Sequence, residues 1–124
     1  MKKLRDVIKK PDNEDFDYFR DNQNYDKLAN HSYSKYREDA AICGTDKHRD
    51  QLVSDSHPNV RERVAKYGND KHRDQLVNDK DPGVRHAVAV YGNQSHRDQL
   101  VNDPDTEVRA AVLRANKARN NRNA

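Results

Sequence analysis

The stretch HRDQLV at residues 48–53 returns unchanged at 72–77 and again at 96–101, so three copies stand 24 residues apart. Gly44, Gly68 and Gly92 keep the same interval. The units are TDKHRDQLVSDSHPNVRERVAKYG (45–68), NDKHRDQLVNDKDPGVRHAVAVYG (69–92) and NQSHRDQLVNDPDTEVRAAVLRAN (93–116). Ten of their 24 columns are identical in all three: the six of HRDQLV and, in the first unit's numbering, Asp55, Val60, Arg61 and Val64. One step further back, DNQNYDKLANHSYSKYREDAAICG (21–44) keeps Asp26, Leu28, Arg37 and Gly44 in register and reads as a degenerate first unit. A period of this length marks units that bury their apolar faces on one another. Residues 1–20 are then an N-terminal cap, with a short helix expected around Leu4, Val7 and Ile8 before the acidic, aromatic PDNEDFDYFR, and residues 117–124 are an Asn- and Arg-rich tail expected to be mobile.

Each unit reads as two short helices. Pro58 and Pro82 suit a first helical position, Asp81 and Asp105 suit N-caps, and Gly68 and Gly92 fit the position just past a helix C-terminus. At about 100° per residue, Val60, Val64 and Tyr67 share one stripe, as do Val84, Val88 and Tyr91, and Val108, Val112 and Ala115. The second helix is expected to bury that stripe. In the first helix His48, Gln51, Leu52 and Asp55 fall on one side, Arg49 and Val53 flank it, and Asp50 points away. So short a helix does not hold alone, because nucleation costs more than a few hydrogen bonds return.

Composition agrees with a thin core. The apolar share is 32%, with two Phe and no Trp, against 36% Asp, Glu, Lys and Arg, so Leu, Val, Ala and Tyr must form the buried layer. The net charge of +3 conceals a division: residues 1–10 and 113–124 hold nine of the 24 basic groups and one acid, leaving 15 basic against 20 acidic groups between them. Both ends are basic and the body is acidic. Cys43 is the single cysteine, which excludes an internal disulfide, a cysteine zinc site and an iron–sulfur cluster. No apolar stretch has the length of a signal peptide or a membrane span, so a cytoplasmic protein without membrane association is expected.

HRD is also the tripeptide of the protein-kinase catalytic loop. There it works with a downstream Asn, a second magnesium-binding Asp, a strand lysine and a glycine-rich loop, and none of these contexts is present. Three copies at a fixed period point to architecture. A zinc ladder of His48, His72 and His96 is excluded by scale, since packed helices lie about 8–10 Å apart and zinc ligands about 2 Å from the metal. A histidine hydrogen-bonded to a neighbouring turn is the expected role. The acid pairs Asp79 with Asp81 and Asp103 with Asp105 sit in turns, where Asp caps helices. No cofactor and no catalytic residue is expected.

LVNDPDTEVRAAVLRAN at 100–116 resembles the leucine-rich repeat variant, a 24-residue HEAT-like unit with Leu, Asp-Pro-Asp, Val-Arg and a Val-Ala pair. The likeness is good over 45–116, weak over 21–44 and absent outside. It implies an all-α, short right-handed solenoid of two-helix units, with one helix of each pair in 3₁₀ form. It also implies a ladder of Asp55, Asp79 and Asp103 with Arg61, Arg85 and Arg109. Relatives can carry an iron–sulfur module ahead of the repeat, which one cysteine excludes here.

Function is then sought in the columns that differ between units. On the second helix these are Glu62, Arg63 and Lys66, then His86, Ala87 and Val90, then Ala110, Ala111 and Arg114, passing from charged to small and apolar. An exposed patch around Ala87, Val90, Ala110 and Ala111 would bind a protein partner; burial of the row between units is the competing expectation. The first expectation is a non-enzymatic scaffold that binds another macromolecule, foremost a protein, as a monomer or an end-to-end dimer. The alternative is a small DNA- or RNA-binding protein using the row Arg49, Arg73 and Arg97 and the tail residues Lys117, Arg119 and Arg122. The Asp after each Arg weakens that row and favours ion pairs between units. A glycosylase-like activity needs an aromatic pocket with a placed carboxylate, which the size and the lack of Trp oppose.

Overall fold

The computed structural model describes residues 24–123, and their regular structure is entirely helical. Eight helices come in pairs among these residues: α1 (Tyr25–Ala29) and α2 (Ser34–Cys43), α3 (Asp46–Leu52) and α4 (Pro58–Tyr67), α5 (Asp70–Leu76) and α6 (Pro82–Tyr91), α7 (Gln94–Leu100) and α8 (Thr106–Asn123). The expected helix around Leu4 and the rest of the N-terminal segment lie outside the described residues.

Local chemistry sets these boundaries. Pro58 and Pro82 occupy the first turn of α4 and α6, where a missing N–H costs nothing. The Asp81 carboxylate accepts from the Gly83 and Val84 N–H groups, and Asp105 does the same for Glu107 and Val108. In α4 the imidazole of His57 takes that role, accepting from Asn59 N–H at 3.1 Å. The first helices α3, α5 and α7 are short α-helices of seven residues, not the 3₁₀ turns the resemblance implies.

Gly68 and Gly92 end their helices for lack of room. Gly68 has an ordinary extended backbone, φ −81° and ψ −165°. A Cβ there would lie 2.5 Å from His72 Nδ1 and 2.6 Å from the Val64 carbonyl oxygen. The histidine that opens the next helix occupies the space a side chain would need.

Packing links the units. α2 packs on α4, α4 on α6 and α6 on α8, while each of α3, α5 and α7 touches the second helix before it and the one after it. Val60, Val64, Val84, Val88, Val108 and Val112 are buried along this row, with Leu28, Leu52, Leu76 and Leu100 inserted from the first helices. Each such side chain contributes about 1.5–3 kcal/mol on leaving water. Tyr67 and Tyr91 depart from the expected stripe, being 39% and 43% exposed. They are the last residues of their helices.

The end of the chain differs from the expected mobile tail, since α8 runs unbroken to Asn123. Asn116 stands where Gly68 and Gly92 stop the earlier helices, and the Ala, Lys and Arg beyond it favour helix. Among the described residues no helix is long and apolar enough to cross a membrane.

Candidate functional site

HRDQLV is the unit's joint. Its histidine completes a capping box at the start of each first helix, taking the place usually held by Glu or Gln. His72 Nδ1 accepts from Asn69 N–H at 3.0 Å while Asn69 Oδ1 accepts from His72 N–H at 3.1 Å, and Asn93 and His96 repeat both bonds. Since a backbone N–H can only donate, Nδ1 is the acceptor and the ring proton lies on Nε2. Nε2 donates to Asp50 from His72 and to Asp74 from His96, both at 2.7 Å, and to Asp26 from His48 at 2.6 Å. Each histidine therefore ties its own helix start to the preceding unit. His72 and His96 are wholly buried, whereas the Asp50 side chain is 72% exposed with one oxygen engaged. The expectation that Asp50 merely points away is corrected on this point. The contact spans 22 residues, and comparing one unit with the next cannot reveal it.

A second ladder joins arginine to aspartate. Arg61 forks onto Asp79 through Nε at 2.8 Å and Nη2 at 3.1 Å, and its Nη1 donates to the Asp55 backbone carbonyl at 2.7 Å. Arg85 makes the same three bonds to Asp103 and to the Asp79 carbonyl. Arg37 forks onto Asp55 in the same way. The carboxylate thus comes from the following unit, and only the carbonyl from the arginine's own. Burial raises the Asp55 and Asp103 carboxyls, but the Arg37 and Arg85 forks and the His57 and Asp105 backbone N–H groups outweigh it, so both lie below the usual carboxylate range. Asp79 and Asp103 in turn hold Arg61 and Arg85 above the usual arginine range.

The arginines of HRD are turned inward. Arg49 donates to the Ala41 and Ile42 carbonyls at the end of α2, and Arg73 to those of Ala65 and Lys66 at the end of α4. A cation over the last carbonyls of a helix satisfies both hydrogen bonding and the helix dipole. Asp46 and Asp70 close the same guanidinium groups at 3.0 and 3.1 Å. Gln94 replaces that acid in the last unit, and Arg97 reaches only the Gly92 carbonyl, its buried Nε lacking an acceptor among the described residues.

The row sought on the second helices divides. Ala87 and Ala111 are buried, so they leave the expected patch: Ala87 is on α6, which lies between α4 and α8, and Ala111 is on α8, which lies against α6. Ala110 and His86 are half-buried, and Val90 and Arg114 are exposed. Arg63 reaches Glu38 of the first unit at 3.2 Å. Lys66 lies across two aromatic rings, 5.1 Å from the centre of Tyr67 and 5.5 Å from that of Tyr91. The tyrosines escape a reading by helical periodicity, which assigns them to the core. Their place beside a closing glycine was the available sign.

On α8, Lys117 and Arg119 are exposed, and Arg119 donates to Gln94 at 2.8 Å. The Arg122 side chain lies outside the described residues. An open groove of about 400 Å³ runs beside Val53, Gln75 and Leu76, with the Arg61–Asp79 pair in its wall. Among the described residues no three His, Cys, Asp or Glu side chains converge as a metal site.

Compared with models of protein families, with curated proteins and with solved structures, the chain matches none.

Proposed function

We propose that the chain is a short right-handed α-solenoid of 24-residue HEAT-like units, a non-enzymatic scaffold that binds another protein through a lateral face. The observation that carries this reading is the cluster Tyr67, Lys66, Tyr91 and Val90. Tyr67 and Tyr91 stand exposed on either side of the Lys66 ammonium, and Val90, next to Tyr91 in the chain, is exposed as well. Tyrosine and other aromatics concentrate at interface centres because they bury much area with little conformational freedom to lose. At the interior joints most residues of the repeated columns are engaged between units, as is Arg63 with Glu38, which leaves the variable positions Lys66, Val90 and Arg114 for a ligand.

The test compares wild-type chain with the double variant Tyr67→Ala, Tyr91→Ala as bait in the native cell, quantified by mass spectrometry. A protein retained by the wild type and lost with the variant is expected. Equal recovery with both baits would remove the reading.

Nucleic acid is the second reading, supported by the exposed Arg114, Lys117 and Arg119 on the last turns of α8. The inward guanidinium groups of Arg49 and Arg73 weaken the part of it that needed an exposed arginine row. It expects affinity for duplex or single strands that falls steeply with salt and disappears in a chain ending at Asn116.

A further inference from the structure

Each interior junction buries the same set of groups. Val53 and Val77 are 6% and 2% exposed, and Ala41, Ala65 and Ala89 are fully covered. Arg37, Arg61 and Arg85 find a carboxylate in the next unit, and Asp26, Asp50 and Asp74 find its histidine. The last unit carries the corresponding groups, and among the described residues no further unit is laid over them. Val101 is 44% exposed, and Leu113, where the other units have alanine, is 65% exposed. Arg109 donates through Nη1 to its own Asp103 carbonyl at 2.6 Å, while its Nε and Nη2 have no acceptor among the described residues. Asp98 holds the Gln94 amide instead of a histidine.

We propose that this end face of α7 and α8 is a self-association surface on which two copies of the chain close. The larger apolar residue falls on the last described unit, whose outer face is open among the described residues, and there it exposes more apolar surface than an alanine would. The face also carries Arg109 without a carboxylate and Asp98 without its usual donor, opposite charges that a two-fold contact can pair across copies, with the exposed Lys117 one turn beyond Leu113. Continuation head to tail lacks its chemistry: where a following unit offers His and Asp to the unit before it, the first described unit has Asn24 and His31. In the closed pair Val101 and Leu113 meet their copies at the centre, and Arg109 of each copy faces Asp98 of the other. This inference is independent of the lateral-face reading, since neither Tyr67 nor Tyr91 takes part.

Sedimentation velocity of the full chain across a wide concentration range tests it. The expected result is a reversible dimer, weakened at least about tenfold by Leu113→Glu, with the helical circular dichroism unchanged. Asp98→Arg and Arg109→Asp are each expected to be monomeric, and an equimolar mixture of the two is expected to dimerise, because each then supplies the charge the other needs. A wild type that stays monomeric at its highest soluble concentration would overturn the proposal, as would a dimer indifferent to Leu113→Glu or a mixture that fails to pair. None of these outcomes alters the bait comparison at Tyr67 and Tyr91.

Discussion

Helices α6 and α8 begin alike and end differently. Both open behind an aspartate cap and both bury two valines four residues apart, yet α6 stops at Tyr91 and α8 continues to Asn123. The cause lies in the chain beyond each helix. After α6 the backbone must pass His96, whose ring fills the space beside Gly92, and only a residue without Cβ fits there. After α8 the sequence holds no such histidine, and Asn116 lets the helix run on. The stop therefore belongs to the joint with the next unit more than to the helix it ends.

The largest effect should appear on comparing equivalent arginines at an interior joint and at the open end. Arg61→Ala leaves the nearly buried Asp79 carboxylate without its fork and is expected to cost about 3–5 kcal/mol in urea denaturation. Arg109→Ala removes no carboxylate partner within the chain and, at concentrations where the chain is monomeric, is expected to cost less than about 0.5 kcal/mol. Similar losses at both sites would show that the ladder does not act as described.

Next comes the glycine. Gly68→Ala puts a methyl group against the His72 ring and the Val64 carbonyl, and since backbone and buried ring yield little, a loss of about 1–3 kcal/mol is expected. Asn116→Gly, the converse change, should shorten α8 and lower the helical ellipticity without changing the thermal midpoint by more than a few degrees. If Gly68→Ala were harmless, room for histidine would not be why the glycine is there.

Acid should weaken the joints through Asp55 and Asp103. Their folded values lie below the unfolded value of about 3.9, so the native chain binds these protons less readily than the unfolded one, and stability rises with pH across that window. The contribution is complete above about pH 4 and is lost as pH falls through the folded values. Stability measured from pH 6 down to pH 2 should decline mainly below about pH 4, and Asp103→Asn should make the decline shallower while lowering the plateau. An acid limb unchanged in this variant would assign it to other carboxylates.

Much of the fold was legible in the chain itself. The 24-residue period located the described helix pairs, prolines and aspartates marked the starts of α4, α6 and α8, and glycines marked the ends of α4 and α6. These are local matters of backbone angle, missing donors and capping, which neighbouring residues decide among themselves. The candidate site was less legible. Val90 and Arg114 stand out in water as read, while Ala87 and Ala111 are covered, and Tyr67 and Tyr91 emerge from a stripe that periodicity places inside.

The order of residues alone sets the unit: its period, its two helices, its valine stripe and the identity of the columns that repeat. How those columns meet is settled only once the units are stacked. His72 reaches back 22 residues to Asp50 and Arg61 forward 18 to Asp79, contacts that exist because one unit is laid against another at a particular height and angle. Periodicity names the face on which a side chain lies, but burial depends on what comes to rest against that face.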